Sequence, residues 1–250
     1  MSVKEEAKVQ KEKIKALPFK KKMENIWYHY KAQIIIGVCV LLALGYVLKS
    51  CVFDRPMPYA FSAMALNSTY YLMDEQEPVD KLMAGFAEKQ GFDLTTTQNT
   101  MTTSNFIDLD TNDTLTLATD MKIIAEAEHG ELDVLIGTPA LLDFYVINNF
   151  YRPLNEQISE ETYKTLEEAG LIYYYHDERD NSETPMAIYI QDFPRIKESG
   201  LYPEGVEVVL GIVQYSPRQD VARAFVDYIM EGWEPEVTEE TEESTEKEGE

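Results

Sequence analysis

The chain has 250 residues, with 45 Asp plus Glu against 22 Lys plus Arg and a formal net charge of -23. A surface this acidic repels phosphate instead of releasing its counterions, which excludes a general nucleic-acid binder. The charge is also ordered: residues 1–31 hold nine Lys and four Glu, residues 231–250 hold one Lys and ten Glu, and the body between them carries -19, an asymmetry that points to a membrane or a polyelectrolyte partner.

The basic head, residues 1–31, reads as two helical pieces divided at Pro18, because proline opens a helix but is not accommodated within one. In the second piece Phe19, Met23, Ile26, Trp27 and Tyr30 recur at helical spacing. That piece is expected to lie along the inner leaflet and then turn into the membrane, with Lys20, Lys21 and Lys22 toward anionic lipid. From Ala32 to Leu48 the chain runs without a charge between Lys31 and Lys49. As a helix those positions span about 25 Å, the short end of what crosses a hydrocarbon core, and snorkelling lysines extend the reach. Trp27, Tyr28 and Tyr30 stand where an interfacial aromatic belt is expected. A buried core helix is the competing reading, but uniform apolarity between aromatic and lysine flanks is unusual for one.

Residues 12–31 contain six Lys or Arg and residues 49–68 contain two, so the positive-inside rule places the head in the cytoplasm and everything after Lys49 outside. A cleaved signal peptide would need a shorter approach than 31 residues, and an uncleaved signal anchor fits better. Leu48, Lys49, Ser50 and Cys51 superficially resemble a lipobox, although lysine two places before the cysteine departs from that pattern; lipidation of Cys51 stays open. The two cysteines, Cys39 and Cys51, would lie about 18 Å apart on a helix, beyond disulfide reach. An outer domain must therefore be stabilised by its own core, and residues 58–230 are enough to build one.

After a short linker, residues 49–57, with two prolines in Asp54–Pro58, strand-like and helix-like runs alternate. Tyr59–Leu66 is a continuous apolar run, as in a strand buried on both faces. Val79, Leu82, Met83 and Phe86 form a helix stripe stopped by Gly91, and Thr-rich Phe92–Thr102 suggests a more exposed strand. Leu117, Met121 and Ile124 give the next stripe, ended by Gly130, and Leu132–Ile136 is again a buried-strand run. Pro139 opens a helix with Thr138 as N-cap and Leu142, Tyr145 and Val146 inward. Ser159–Ala169 is a helix with two glutamates in its first turn. Strand-like Leu171–Tyr175, Met186–Ile190 and Val206–Val213 follow, with a short helical turn at Pro194–Ser199, and the last helix sets Ala222, Phe225, Val226 and Ile229 on one face. This alternation indicates an α/β domain with a mixed sheet and helices on both faces. Residues 231–250 have too few apolar side chains to fold and are expected to be a disordered acidic tail, serving solubility or repulsion from anionic lipid.

Three stretches resemble the type 2 periplasmic solute-binding fold, the extracellular receptors of importers. Leu82–Thr95 is similar to that family's helix ending in Gly before the second strand. Glu126–Leu154, with EHGELDVLIGTPALLDFYVINNFYRPL, resembles its third strand, the following helix and a closing Pro-Leu. Val208–Met230 is similar to the strand returning to the first lobe and its packing helix. The resemblance implies a lobe-like α/β domain, but only about fifty residues separate the Leu154 region from Val206. The second lobe of such a receptor therefore looks shortened or absent, and neither transport nor a clamshell carries over.

Open α/β sheets hold ligands beyond the carboxyl ends of their strands. That indicates Asn67, Ser68 and Thr69 after the first strand, and Gly137 with Thr138 after the third, where backbone amides at the helix starting at Pro139 could hold an anion. The first three are equally a plain turn, and Thr138 equally a cap. Tyr173, Tyr174 and Tyr175 could stack on a sugar, though in a strand they alternate faces and at least one is expected in the core. His29, His129 and His176 lack metal-ligand spacing. Asp108, Asp110, Asn112 and Asp113 resemble a calcium loop, but Asp113 stands where the loop needs Gly and Thr119 where it needs Glu. There is no G-x-S-x-G, Walker or G-x-G-x-x-G motif, so neither an enzyme nor a cofactor is expected. Two functions remain: a membrane-anchored extracytoplasmic module that binds or senses a small ligand, or a structural subunit docking on a membrane or envelope complex without one. The partners are then the lipid bilayer and either a small molecule or a membrane protein.

Overall fold

The computed structural model describes residues 18–52, 57–111 and 113–234 and divides into two compact units, residues 1–56 and 57–250. The tail beyond residue 234, the first head piece and linker residues 53–56 lie outside the described residues.

In the first unit, α1 is Phe19–Val52, 34 residues without proline. It runs unbroken, so the expected turn between an inner-leaflet piece and the apolar stretch is not made; no residue between Phe19 and Val52 removes a helical N–H. Its segment Tyr30–Lys49, twenty residues and about 30 Å long, is long and apolar enough to cross a membrane. Lys20, Trp27, Tyr28, Tyr30, Lys31 and Lys49 have exposed side chains. The side chains of Lys21, Lys22 and Cys51 lie outside the description, so the lipidation reading of Cys51 does too.

The second unit is an α/β domain. Its elements in order are β1 (Tyr59–Leu66), α2 (Glu77–Gln90), β2 (Gln98–Asn105), α3 (Thr114–Glu128), β3 (Val134–Gly137), α4 (Pro139–Val146), a 3-10 turn (Leu154–Glu156), α5 (Glu160–Glu168), β4 (Ile172–Asp177), β5 (Ser182–Tyr189), α6 (Pro194–Ser199), β6 (Val209–Ile212) and α7 (Gln219–Met230). The strands form one mixed sheet in the order β2-β1-β3-β6-β5-β4. Parallel pairing joins β2, β1 and β3, and antiparallel pairing joins β3 to β6, β6 to β5 and β5 to β4. Consequently the carboxyl ends of β1, β3 and β5 and the amino end of β6 share one edge.

The unalternated apolar run of β1 has the expected meaning. Phe61, Ala63 and Ala65 face one core, with α2 and α7, while Met64 and Leu66 face the other, with α3 and α4. Phe61, Met64 and Leu66 each contribute about 1.5–3 kcal/mol by leaving water. Gly91, at φ 69, closes α2 in the left-handed conformation that costs glycine little.

Three expectations change. β2 begins at Gln98, not Phe92, because the Asp93 carboxylate accepts from the backbone N–H and hydroxyl of Thr95 and from the Thr96 hydroxyl, folding 93–97 into a turn. On α3 the inward residues are Thr119, Ile123 and Ala127, whereas Leu117, Met121 and Ile124 point to solvent, 51%, 71% and 37% exposed. The helix carries two apolar stripes, and the one with the smaller side chains lies against the sheet. Finally, none of the three tyrosines of β4 is fully buried: Tyr173 and Tyr175 pack half-buried on the α3/α4 side and Tyr174 stays exposed, since β4 is an edge strand.

At the opposite edge from the carboxyl ends, Asp133 is wholly buried. Its carboxylate accepts from Ser62 N (2.8 Å), Arg218 Nε (3.0 Å) and the Ser216 hydroxyl, and Arg218 also donates to the Gly130 carbonyl at 2.9 Å. This ties β1, the start of β3 and the entry to α7 through one charge.

Candidate functional site

The residues expected to meet a ligand do come to one edge of the sheet, but the backbone has already engaged most of their polar atoms. Asn67 follows β1 with φ 54, a conformation Asn tolerates. Its side-chain amide donates to the Ile107 carbonyl and accepts from the Ile107 N–H, both at 2.8 Å. The Ser68 hydroxyl is buried, donates to Thr103 O at 3.0 Å and accepts from Tyr70 N. Thr69 is exposed, and its N–H donates to Leu201 O. Together these three fasten the end of β1 to the end of β2 and to the 200s segment.

On the β3 side Gly137 is a buried strand residue paired with Val209. Thr138 occupies the N-cap position of α4, yet its side chain makes no capping bond. Pro139 has no N–H, and Leu141 and Leu142 donate to the Thr138 carbonyl, so little of the helix start is left for an anion.

The crevice between the carboxyl ends of β1 and β3 is closed by Tyr202. Its phenol donates across the seam to Leu66 O at 2.6 Å and Ile136 O at 3.2 Å, and burial raises its pKa well above the ordinary tyrosine value. Phe193, Ile196 and Leu201, buried in the α2/α7 core, hold this segment down. Tyr70 adds a bond from its hydroxyl to Ser199 O at 2.8 Å. Removing the phenol oxygen alone, Tyr202→Phe, leaves both carbonyls without that donor and is expected to lower stability by about 1–3 kcal/mol. Urea denaturation reads this, and an unchanged midpoint would show that the plug is not held by its hydroxyl.

Beside the plug, on the same edge, the segment from Gln191 to Val208 encloses a cavity of about 560 Å³. Tyr202, Ile196 and Val208 give it apolar wall, and Asp192, Glu204 and Glu207 give it carboxylates. Asp192 is paired at 2.9 Å with Lys197, which also lines the cavity, whereas Glu204 and Glu207 are exposed. The Gln191 side-chain carbonyl accepts from Val208 N at 3.3 Å, joining the two sides of the cavity. The arrangement offers a partly apolar hollow whose lining carries three carboxylates and one ammonium, a net negative charge.

The wall from Gln191 to Val208 stands on the same sheet edge as Asn67, Ser68, Thr69, Gly137 and Thr138 and is not legible in the sequence. Pro203, Glu204 and Gly205 read as a turn, but nothing in the pattern says that the turn folds back over strands more than sixty residues away. Elsewhere, the Asp108 carboxylate accepts from Asp110 N and the Asp113 carboxylate from Thr116 N, an Asx turn and an N-cap, and Asn112 lies outside the described residues. His129 Nδ1 sits 2.6 Å from Ala125 O, and His176 faces Glu183 at 4.0 Å. No group of three or more His, Cys, Asp or Glu placed to hold a metal occurs among the described residues. Compared with protein-family models, with curated proteins and with solved structures, the chain matches none.

Proposed function

We propose that this protein is a single-pass membrane anchor whose outer domain binds a small, positively charged solute in the cavity at the carboxyl edge of its sheet. The observation that carries the reading is the cavity itself. Its volume of about 560 Å³ is in the range that small-molecule sites occupy, and it stands at the edge where open α/β sheets hold ligands. Glu204 and Glu207 supply the charge that an ammonium or guanidinium group would meet, and the acidic body raises the local concentration of such cations. The resemblance to a solute-binding lobe is supported by the sheet order β2-β1-β3 with the late strand β6 antiparallel beside β3. The orientation, head inside and domain outside, is supported by the lysine and arginine asymmetry around α1.

The test uses the full chain. Protease added to intact cells should cut away the domain after Lys49. In detergent, a panel of diamines, basic amino acids and quaternary amines should contain at least one compound that raises the melting temperature, as ligand binding to the folded state requires. The rise should disappear in Glu204→Gln/Glu207→Gln. A domain protected from protease would sink the orientation, and a flat panel of cationic, neutral and anionic solutes would sink the binding.

A further inference from the structure

The outward stripe of α3 is exposed and has no packing partner among the described residues. Leu117, Met121 and Ile124 lie at i, i+4 and i+7 on a face of the helix beside the buried one of Thr119, Ile123 and Ala127, the spacing by which an amphipathic helix presents one apolar face. On the same face of the sheet, Phe144 of α4 and Ile147, the residue that caps its end, are exposed at 42% and 62%. Scattered exposed leucines are ordinary on a soluble surface; large apolar side chains grouped on one helical layer mark a contact surface.

The charges around the stripe decide what fits it. Asp110 and Asp113 precede the helix, Glu128 and Glu131 end it, and all four are exposed. The nearby cation, Lys122, is engaged by Glu126 at 3.8 Å and the Asn105 side chain at 3.2 Å. A second copy would bring the same acidic rim against this one, anionic lipid headgroups would be repelled, and the acidic residues 231–250 would be too. We infer that this face docks a different membrane protein, through an apolar patch rimmed by lysine and arginine. The inference goes beyond the solute site and holds whether or not the cavity is filled.

A photo-cross-linking phenylalanine in place of Met121, in the full chain in its native membrane, tests it. The expected result is one heterologous adduct whose cross-linked peptide, read by mass spectrometry, combines apolar residues with lysine or arginine. Its yield should fall about tenfold or more when Leu117→Asp sets charge into the contact, and the melting temperature should move little, because half of the Leu117 side chain faces solvent. Neutralising the rim by Asp110→Asn, Asp113→Asn, Glu128→Gln and Glu131→Gln should lower the yield as well. Adducts only with lipid, adducts only at twice the chain mass, or a yield no higher than from the same probe at exposed Lys164 would overturn the proposal. An undiminished yield after rim neutralisation would overturn its electrostatic half.

Discussion

Asp133→Ala is expected to destabilise the domain by about 3–5 kcal/mol, the range for removing one member of a buried, hydrogen-bonded ion pair. The carboxylate has no exposed surface, and its loss strands three donors at once: the Ser62 amide, the Ser216 hydroxyl and the Arg218 guanidinium. Arg218 keeps its bond to the Gly130 carbonyl, so part of its charge remains compensated and the lower half of that range is the expected place. Chemical denaturation followed through the buried tyrosines reads the change. Removing both charges, in Asp133→Ala/Arg218→Met, should cost less than the two single changes summed, because no uncompensated charge is then left inside. A loss below about 1 kcal/mol for Asp133→Ala would place the pair among the surface ion pairs, which are worth that little.

Phe225→Ala should cost about as much, 3–5 kcal/mol by the usual range for emptying a buried aromatic site. The ring of Phe225 is wholly buried, with its centroid 4.7 Å from that of Phe61 on β1 and 5.1 Å from that of Phe86 on α2. Phe61 and Phe86 also meet edge to face at 5.1 Å, so the three rings form one unit that seals α2 and α7 onto the sheet. Aromatic pairs contribute about 0.5–1.5 kcal/mol beyond area, which is why Phe225→Leu should recover only part of the loss. The same denaturation curve checks both variants. If Phe225→Leu recovered nearly the whole loss, burial alone would account for the ring.

These two residues differ in how they can be read. Phe225 shares a helical face with Ala222, Val226 and Ile229, so its burial follows from spacing alone. Asp133 stands in Leu132–Ile136 as an acid in an apolar run, and its partners Ser216 and Arg218 are more than eighty residues away in sequence. Local pattern has no access to a contact of that separation. The same distinction covers α3: periodicity shows that Leu117, Met121 and Ile124 share a face, but which of two apolar faces meets the sheet is settled by how closely the helix packs, not by the spacing.

The amino-acid sequence by itself determined the apolar span between lysine flanks, the α/β alternation, the near-exact extent of β1 and the faces of α2 and α7. Each of these depends on residues within a turn or two of one another, or on transfer of a whole segment out of water. Only the tertiary structure decided the strand order, the closing of the β1/β3 crevice by Tyr202, the cavity walled by Gln191 to Val208, and the outward apolar stripe of α3. Those depend on where distant segments return to the sheet edge, and chain return is fixed by the packing of two cores at once. The charge of -23 is divided in the same way. Its ordering along the chain is a property of the sequence, while only the fold sets Asp192 and Lys197 across one cavity from Glu204 and Glu207.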